Sequence, residues 1–198
     1  MNDPRRPGRP RSREIDAAVL DATGVLFAEL GYAGVSVEQV AETAGVGKAA
    51  IYRRYPTKAD LITAAVSCII DQIGPAPDSG TLRGDLVELA RGYVRMLTSS
   101  AAGRAIPAML LARGRDPELA RQHSRLVSER REESLVILRR AIDRGELAAA
   151  VDADFVLDMF VAPLFYRTLV VGSGVTDEYV DRLVDTIVRA FPPASAST

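Results

Sequence analysis

Residues 31–62 read GYAGVSVEQVAETAGVGKAAIYRRYPTKADLI, and this stretch decides the fold. Its SVEQ segment at 36–39 has the Ser-x-x-Gln form of a capping box and predicts the start of a helix of about two turns. AGVG at 44–47 breaks that helix, KAAIYRRY at 48–55 predicts a second one, and Pro56 ends it. Two short helices joined by a glycine-containing turn are typical of a helix-turn-helix, whose second helix enters the major groove of DNA.

The second of these short helices presents mainly small side chains to solvent. Apolar residues at helical spacing predict a face that packs on the preceding long helix: Val37, Val40, Ala41, Ile51 and Tyr55. The exposed face is then formed by Gly47, Lys48, Ala49, Ala50 and Tyr52. Small side chains let the backbone approach base edges, while Lys48 reaches guanine O6 or N7 and alanine methyl groups meet thymine methyl groups. We interpret this face as a surface that reads DNA bases.

Helix signals continue on both sides of this stretch. A first helix is predicted from its cap, Ser12, to Leu30, because Gly31 stops it. The later helices are predicted over residues 58–73, 81–99, 101–112, 117–144, 153–171 and 177–191. Caps open several of them, namely Thr57 with Asp60, Asp116 with Pro117, and Thr176. With no Trp, 6% aromatic residues and no strand pattern, the sequence predicts an all-α fold of about nine helices.

The domain organisation is predicted from composition and breakers. GPAPDSG at 74–80 is the strongest breaker cluster of the interior, and it predicts a boundary within or just before it, with a helix from residue 58 tying the two parts together. We assign residues 1–12 to a disordered basic arm, 13–58 to a helix-turn-helix domain and 59–198 to a helical regulatory and dimerisation domain. No stretch approaches 18 uninterrupted apolar residues, so we expect no membrane span and a cytoplasmic location.

Residues 31–62 resemble the DNA-binding segment of the TetR family of bacterial transcriptional regulators. The family pattern has GY, a Ser or Thr, IA, AGV, an aliphatic residue with Tyr, His-Phe, and a Lys followed by Leu, at fixed spacing. Here Val40 replaces the Ile, and Arg54 and Tyr55 replace the His-Phe pair.

The resemblance also implies a role for each matching residue. It implies that phosphates are contacted by Ser36, Tyr52 and Lys58. Arg54 is expected to keep or strengthen a contact with the DNA backbone, and Tyr55 to keep the packing of the Phe that it replaces. The positions that face the bases are Gly47, Lys48, Ala49 and Ala50.

A basic arm, RRPGRPRS at residues 5–12, precedes the first helix although the formal net charge of the chain is only −1. An arm next to a helix-turn-helix can lie in the adjacent minor groove, where Arg is favoured over A·T tracts. Its GRP element also resembles the core of an AT-hook. We predict that Arg9 and Arg11 contact the minor groove or phosphates; the alternative is a disordered, solubilising tail without defined contacts.

The C-terminal region, residues 144–191, resembles the C-terminal domain of one large TetR subgroup, which carries RGEL, spaced Asp residues and a Pro-Leu-Phe-Tyr-Arg run. That resemblance implies a homodimer in which the last two helices, 153–171 and 177–191, form half of a four-helix bundle. Independently, the helix over 153–171 is apolar on nearly every side, which predicts burial by its own domain and by a partner. Pro163 is expected to bend it.

Members of the family usually carry a small-molecule pocket among their middle helices. The candidate pocket residues are Tyr93, Met96, Ile106, Met109, Phe160 and Tyr166. Their low polarity favours a hydrophobic effector. The alternative is that Met and aromatic residues at helical spacing form ordinary core.

Motifs for catalysis, metal binding or a cofactor are missing from the sequence. His123 is the only histidine and lies among alternating charges, so we expect it to be exposed and without a metal or catalytic role. Cys68 lies in the apolar run AAVSCII and is predicted to be a buried structural thiol. We therefore expect a protein that is not an enzyme and needs no cofactor.

Together these patterns predict a sequence-specific, double-stranded DNA-binding regulator. The first hypothesis is a homodimeric repressor that a small, hydrophobic effector releases from a pseudo-palindromic operator. The alternative is an architectural or constitutive DNA-binding dimer without an effector, which would show weak sequence preference and strong salt dependence.

Overall fold

The computed structural model describes residues 9–98 and 104–193, with the side chains of residues 9–13 excepted. Within this described chain the regular structure is helical throughout, which confirms the all-α prediction. Its α-helices, in order, are α1 Arg9–Gly34, α2 Val37–Thr43, α3 Lys48–Tyr52, α4 Lys58–Ile70, α5 Leu82–Thr98, α6 Ala105–Ala112, α7 Pro117–Asp143, α8 Ala153–Phe165 and α9 Asp177–Ala190. A 3₁₀ turn at Asp71–Ile73 follows α4, and a π-helical turn at Tyr166–Val170 follows α8.

Helix α1 begins at Arg9, three residues before the predicted cap at Ser12, so that boundary was wrong. Pro10 explains the earlier start, because proline has no N–H and fits the first turn, where N–H groups lack intrahelical partners. The backbone of Arg9 and Arg11 therefore belongs to α1, while their side chains and residues 1–8 of the arm lie outside the described part. At the other end Gly31 has φ 67° and ψ 179°, which confirms that it interrupts the helix.

Short-range caps fix the starts of α2 and α4. The Gln39 N–H donates to Ser36 Oγ over 3.2 Å and the Ser36 N–H donates to Gln39 Oε1 over 2.9 Å, so the predicted capping box is confirmed. Thr57 and Asp60 make the same reciprocal pair over 3.0 and 3.1 Å. Between them, α3 ends at Tyr52, three residues before the predicted end.

The later helix starts are capped in the same way. Asp116 Oδ1 accepts from the N–H groups of Glu118 and Leu119 over 2.9 and 3.0 Å. Thr176 Oγ1 accepts from the Tyr179 N–H over 3.2 Å. Both caps agree with the sequence prediction.

Contacts divide the described chain into two compact units. The first extends to Cys68 and includes Arg104–His123, because α6 packs along α1; the second holds the remaining described residues. The boundary between the two units therefore lies within α4, between Cys68 and Ile69, and not at residue 58. Residues 74–80 belong to the second unit. There the Gly74 carbonyl accepts from Arg130 Nη1 over 2.7 Å.

Each unit has its own apolar core. Side chains with no more than 1% exposure fill the first unit, among them Phe27, Val40, Ile51, Ile62 and Val66. The second unit is centred on Leu82, Leu86, Met96, Ile137, Phe160 and Val184, all equally buried. Gly92 of α5 lies so close to the 3₁₀ turn that an added Cβ would stand 2.3 Å from the Ile73 carbonyl oxygen, so only glycine fits there.

Candidate nucleic-acid interface

The reading surface, defined as Gly47, Lys48, Ala49, Ala50 and Tyr52, lies on α3 and at its N-terminus. Gly47, Lys48 and Ala49 are exposed, Ala50 is half-buried and Tyr52 is 47% exposed. Ile51, between them in sequence, is 1% exposed and anchors the helix in the core. Because α3 has one buried and one open side, the residues predicted to face the bases lie together on its open side.

Gly47 occupies the N-cap of α3 and makes no side-chain cap there. Its backbone has φ −76°, and an added Cβ would meet no atom within 4 Å. The turn before it does require glycine, since Gly45 has φ 67° in the left-handed region. Gly47 therefore leaves open space at the surface, whereas Gly45 shapes the turn.

Lys48 forms an ion pair that the sequence analysis missed. Its Nζ donates to Glu38 Oε1 of α2 over 2.9 Å, and both side chains are more than half exposed. The hydrogen bond from Lys48 lowers the pKa of Glu38 below its usual value, and the carboxylate in turn raises the pKa of Lys48. An acidic side chain thus stands directly beside the main candidate base-reading residue.

Ser36 and Lys58 flank the reading surface, and both already have intramolecular partners. The Ser36 hydroxyl donates to Gln39 Oε1 over 2.9 Å within the capping box. The Lys58 Nζ lies 4.7 Å from the ring centroid of Tyr32, and burial lowers its pKa. Burial, together with a hydrogen bond to Asp116, raises the pKa of Tyr32 to about 12, so the Tyr32 hydroxyl stays protonated.

Arg54 contacts protein atoms. Its Nε lies 2.6 Å from Asp16 Oδ1 of α1, and its Nη1 donates to the Ala50 carbonyl over 3.1 Å. Both charged side chains are about a third exposed or less. Arg54 therefore links α3 to α1, a structural role that the resemblance did not imply.

Comparison with known proteins agrees with this geometry. A family model described as the tetR family of bacterial regulatory proteins matches residues 19–65, and one described as a tetracyclin repressor-like C-terminal domain matches residues 76–187. The chain belongs to the TetR family. Members of this family are DNA-binding transcriptional regulators and not enzymes, which confirms the predicted class.

Among full-length relatives of this TetR-family regulator is the uncharacterised HTH-type transcriptional regulator YdeS of Bacillus subtilis, 34% identical over 96% of both chains. The DNA-binding transcriptional repressor TetR of Mycobacteroides abscessus is 30% identical over 90% of this chain and 94% of its own. A solved structure, that of the TetR family transcription regulator SCO0332, is 28% identical with a TM-score of 0.70, and the match covers 91% of this chain and all of the other.

The six candidate pocket residues of the regulator differ in exposure. Tyr93, Met96, Ile106, Met109 and Phe160 are at most 7% exposed, whereas Tyr166 is 60% exposed. Within the second unit the ring of Tyr93 stands edge-on to Phe165 with centroids 6.0 Å apart. Ile106 and Met109 belong to α6 of the first unit. Elsewhere in that unit a cavity of about 610 Å³ opens between the end of α1 and α6, and none of the six lines it.

Helix α8 of the regulator buries only one of its two apolar sides. Val156, Leu157, Phe160 and Leu164 are at most 2% exposed. The opposite side continues onto the π-helical turn, and we name it the α8 face; it consists of Phe155 and Met159 of α8 with Tyr166 and Val170 of that turn, which are 47–71% exposed. The backbone changes to π geometry at Tyr166, three residues past Pro163.

Two predictions about single residues were wrong. Cys68 is exposed, although a buried thiol was expected. His123 is only 7% exposed, and its Nδ1 lies 3.3 Å from Arg113 Nη1. Burial, and secondly the positive charge of Arg113, lower the pKa of His123 below 6.5, so the ring is neutral at pH 7.

The described residues contain no group of three or more His, Cys, Asp or Glu side chains that could hold a metal ion. Among the same residues, no helix is both long enough and apolar enough to span a bilayer.

Proposed function

We propose that this regulator is a homodimeric repressor that binds a pseudo-palindromic operator through two copies of α3. The observation that carries the proposal is the reading surface, in which exposed small side chains and Lys48 stand on a helix anchored by buried Ile51. Two such helices, about 34 to 36 Å apart, enter successive major grooves on one side of the duplex. In this complex Ser36, Tyr52 and Lys58 bind phosphates, and Arg9 and Arg11 lie nearest the minor groove.

The dimer forms through the helices predicted from the sequence, α8 and α9. The α8 face is an exposed apolar stripe with side chains four or seven positions apart, and soluble monomers rarely leave such a stripe uncovered. Helix α9 turns its own apolar side, Val180, Val184 and Ile187, inward and presents polar residues outward. A two-fold axis beside α8 therefore pairs the apolar stripe with its copy and leaves α9 at the rim.

Regulators of this family typically respond to small-molecule effectors. We propose that a hydrophobic ligand binds within the first unit at Ile106 and Met109 of α6; the candidate residues of the second unit, taken by themselves, are Tyr93, Met96, Phe160 and Tyr166. Within the first unit α6 packs along α1, so a displacement of α6 reaches the helix to which Arg54 links α3. A ligand that favours the displaced state lowers the affinity for the operator by, at most, the ratio of its affinities for the two states.

The first test is a titration of labelled DNA from immediately upstream of the gene for this protein, against a scrambled duplex, at two salt concentrations. A specificity ratio of roughly a thousand or more that persists at the higher salt supports a sequence-reading repressor. Equal, salt-sensitive binding to this duplex, to the scrambled duplex and to every member of a random library supports the architectural alternative instead.

Two substitutions then separate the roles on α3. Tyr52→Phe removes a hydroxyl assigned to a phosphate and should weaken specific and random DNA alike. Lys48→Ala removes a base contact and should change the selected sequence at one position of each half-site. Unchanged base preference after Lys48→Ala contradicts the assigned role of Lys48.

A further inference from the structure

Glu38 places a negative charge at the edge of the surface assigned to DNA. Its carboxylate lies 2.9 Å from the Lys48 Nζ, with 59% of the Glu38 side chain and 54% of the Lys48 side chain exposed. Phosphate groups repel a carboxylate, so an acidic residue here weakens general attraction to DNA. Since the pair is open to solvent, its ion-pair energy adds little stability. Its position suggests a role in recognition.

We propose that Glu38 reads a base, and that Glu38 and Lys48 together select one G·C base pair in each half-site. In this arrangement the Lys48 ammonium donates to guanine O6 or N7, while the Glu38 carboxylate accepts from the N4 amino group of the paired cytosine. The inference rests on the proposed function, because it requires α3 to lie in the major groove.

The chemistry of the base-pair edges favours this choice. A G·C pair presents two acceptors on guanine beside one donor on cytosine, which matches an ammonium beside a carboxylate. An A·T pair offers N7 to the ammonium and the N6 amino group to the carboxylate, but it lacks the second acceptor that guanine gives to Lys48. A carboxylate placed against guanine O6 or thymine O4 meets an acceptor and is rejected. The reversed pairs are therefore disfavoured as well.

The ion pair also orients both groups before binding. The pKa of Glu38 is lowered by its hydrogen bond with Lys48, so the carboxylate is ionised and acts only as an acceptor. Glu38 Oε1 receives one Lys48 hydrogen bond, and the remaining ammonium hydrogens stay available for guanine. Because the opposite charges compensate each other, the pair adds discrimination between sequences with little general affinity for phosphate.

The experiment is selection of binding sites from a random duplex library with the full-length protein and three variants. Glu38→Gln keeps the size of the side chain but adds a donor, so it should accept A or G where the wild type demands cytosine. Lys48→Ala should relax the same base pair. Glu42→Gln is the matched control, since it removes the same charge one turn further along α2, where the side chain is also exposed. For Glu38→Gln we expect the G·C preference at this position to fall about tenfold or more, with the control unchanged.

Three outcomes overturn the inference. Tighter binding of Glu38→Gln to all sequences alike, with the motif intact, would mean that Glu38 only repels phosphate. Relaxation of different positions by the Glu38 and Lys48 variants would mean that they do not share a base pair. Equal relaxation by Glu42→Gln would mean that charge alone is responsible. If the wild-type protein selects no motif, the proposed function itself fails; if it selects one that Glu38→Gln leaves intact, only this inference fails.

Discussion

Substituting Met159 on the α8 face with Glu should convert the dimer to a folded monomer. Met159 is 47% exposed in a single chain, so about half of its side chain is left for a partner to cover. Full burial of a Met side chain stabilises by roughly 1.5–3 kcal/mol, which leaves about 1 kcal/mol for the uncovered half. Each substitution occurs twice in a two-fold dimer, so the lost Met contacts together cost about 2 kcal/mol. Burying the two carboxylates costs at least about 1 kcal/mol each. The sum of about 4 kcal/mol raises the dimer Kd roughly a thousandfold.

Sedimentation velocity over a range of protein concentrations measures this change, and circular dichroism reports whether the variant is folded. Val127→Glu is the control, because Val127 is 38% exposed on α7 of the same unit and lies outside the α8 face. We expect Met159→Glu to be monomeric at concentrations where wild type and control are dimeric, with circular dichroism unchanged. A Met159→Glu variant that dimerises as tightly as wild type would refute the assignment of the α8 face, as would equal dissociation of the control.

Two further predictions concern residues of the first unit. Because the pKa of His123 is lowered in the folded state, the unfolded chain binds more protons as the solution is acidified below pH 6.5, and the free energy of unfolding falls. His123→Gln should lessen this fall. Equal losses of Tm between about pH 7.5 and 5.5 in the wild type and the variant would contradict the prediction. Asp16→Asn removes the charge on α1 that pairs with Arg54 and should lower Tm by about 2–4 °C. If Arg54 also holds a phosphate, the same variant binds random duplex more tightly, whereas unchanged DNA affinity would assign Arg54 to structure alone.

The helix starts could be predicted because their determinants are local. Ser36 with Gln39, and Thr57 with Asp60, each close a capping box within four residues, so the pattern in the sequence already contains both partners. The contact between Glu38 and Lys48 could not be predicted in this way. Glu38 and Lys48 are ten residues apart on different helices, and their contact depends on how α2 and α3 cross at Gly45. No periodicity within one helix encodes that crossing.

Burial of single residues was predicted less well than the helices that carry them. Cys68 stands in an apolar run, but it lies at the edge of the buried side of α4, about 100° around the helix from buried Ile69, and is exposed. His123 has charged neighbours in sequence, yet it lies one turn after Leu119, which is fully buried, and shares that inward side of α7. Composition of a segment indicates its average environment, whereas the direction of each side chain decides its own.

The open space at Gly47 has a consequence for how this protein changes its target over evolutionary time. At the N-cap an added Cβ has open space around it, and Lys48 and Ala49 beside it are exposed, whereas Ile51 packs into the core. The codons for residues 47–49 can therefore vary while the helix-turn-helix stays folded, because the capping boxes of α2 and α4 do not involve these residues. After duplication of the gene, a copy could acquire a new set of controlled promoters through a few base changes and retain the stability of its parent.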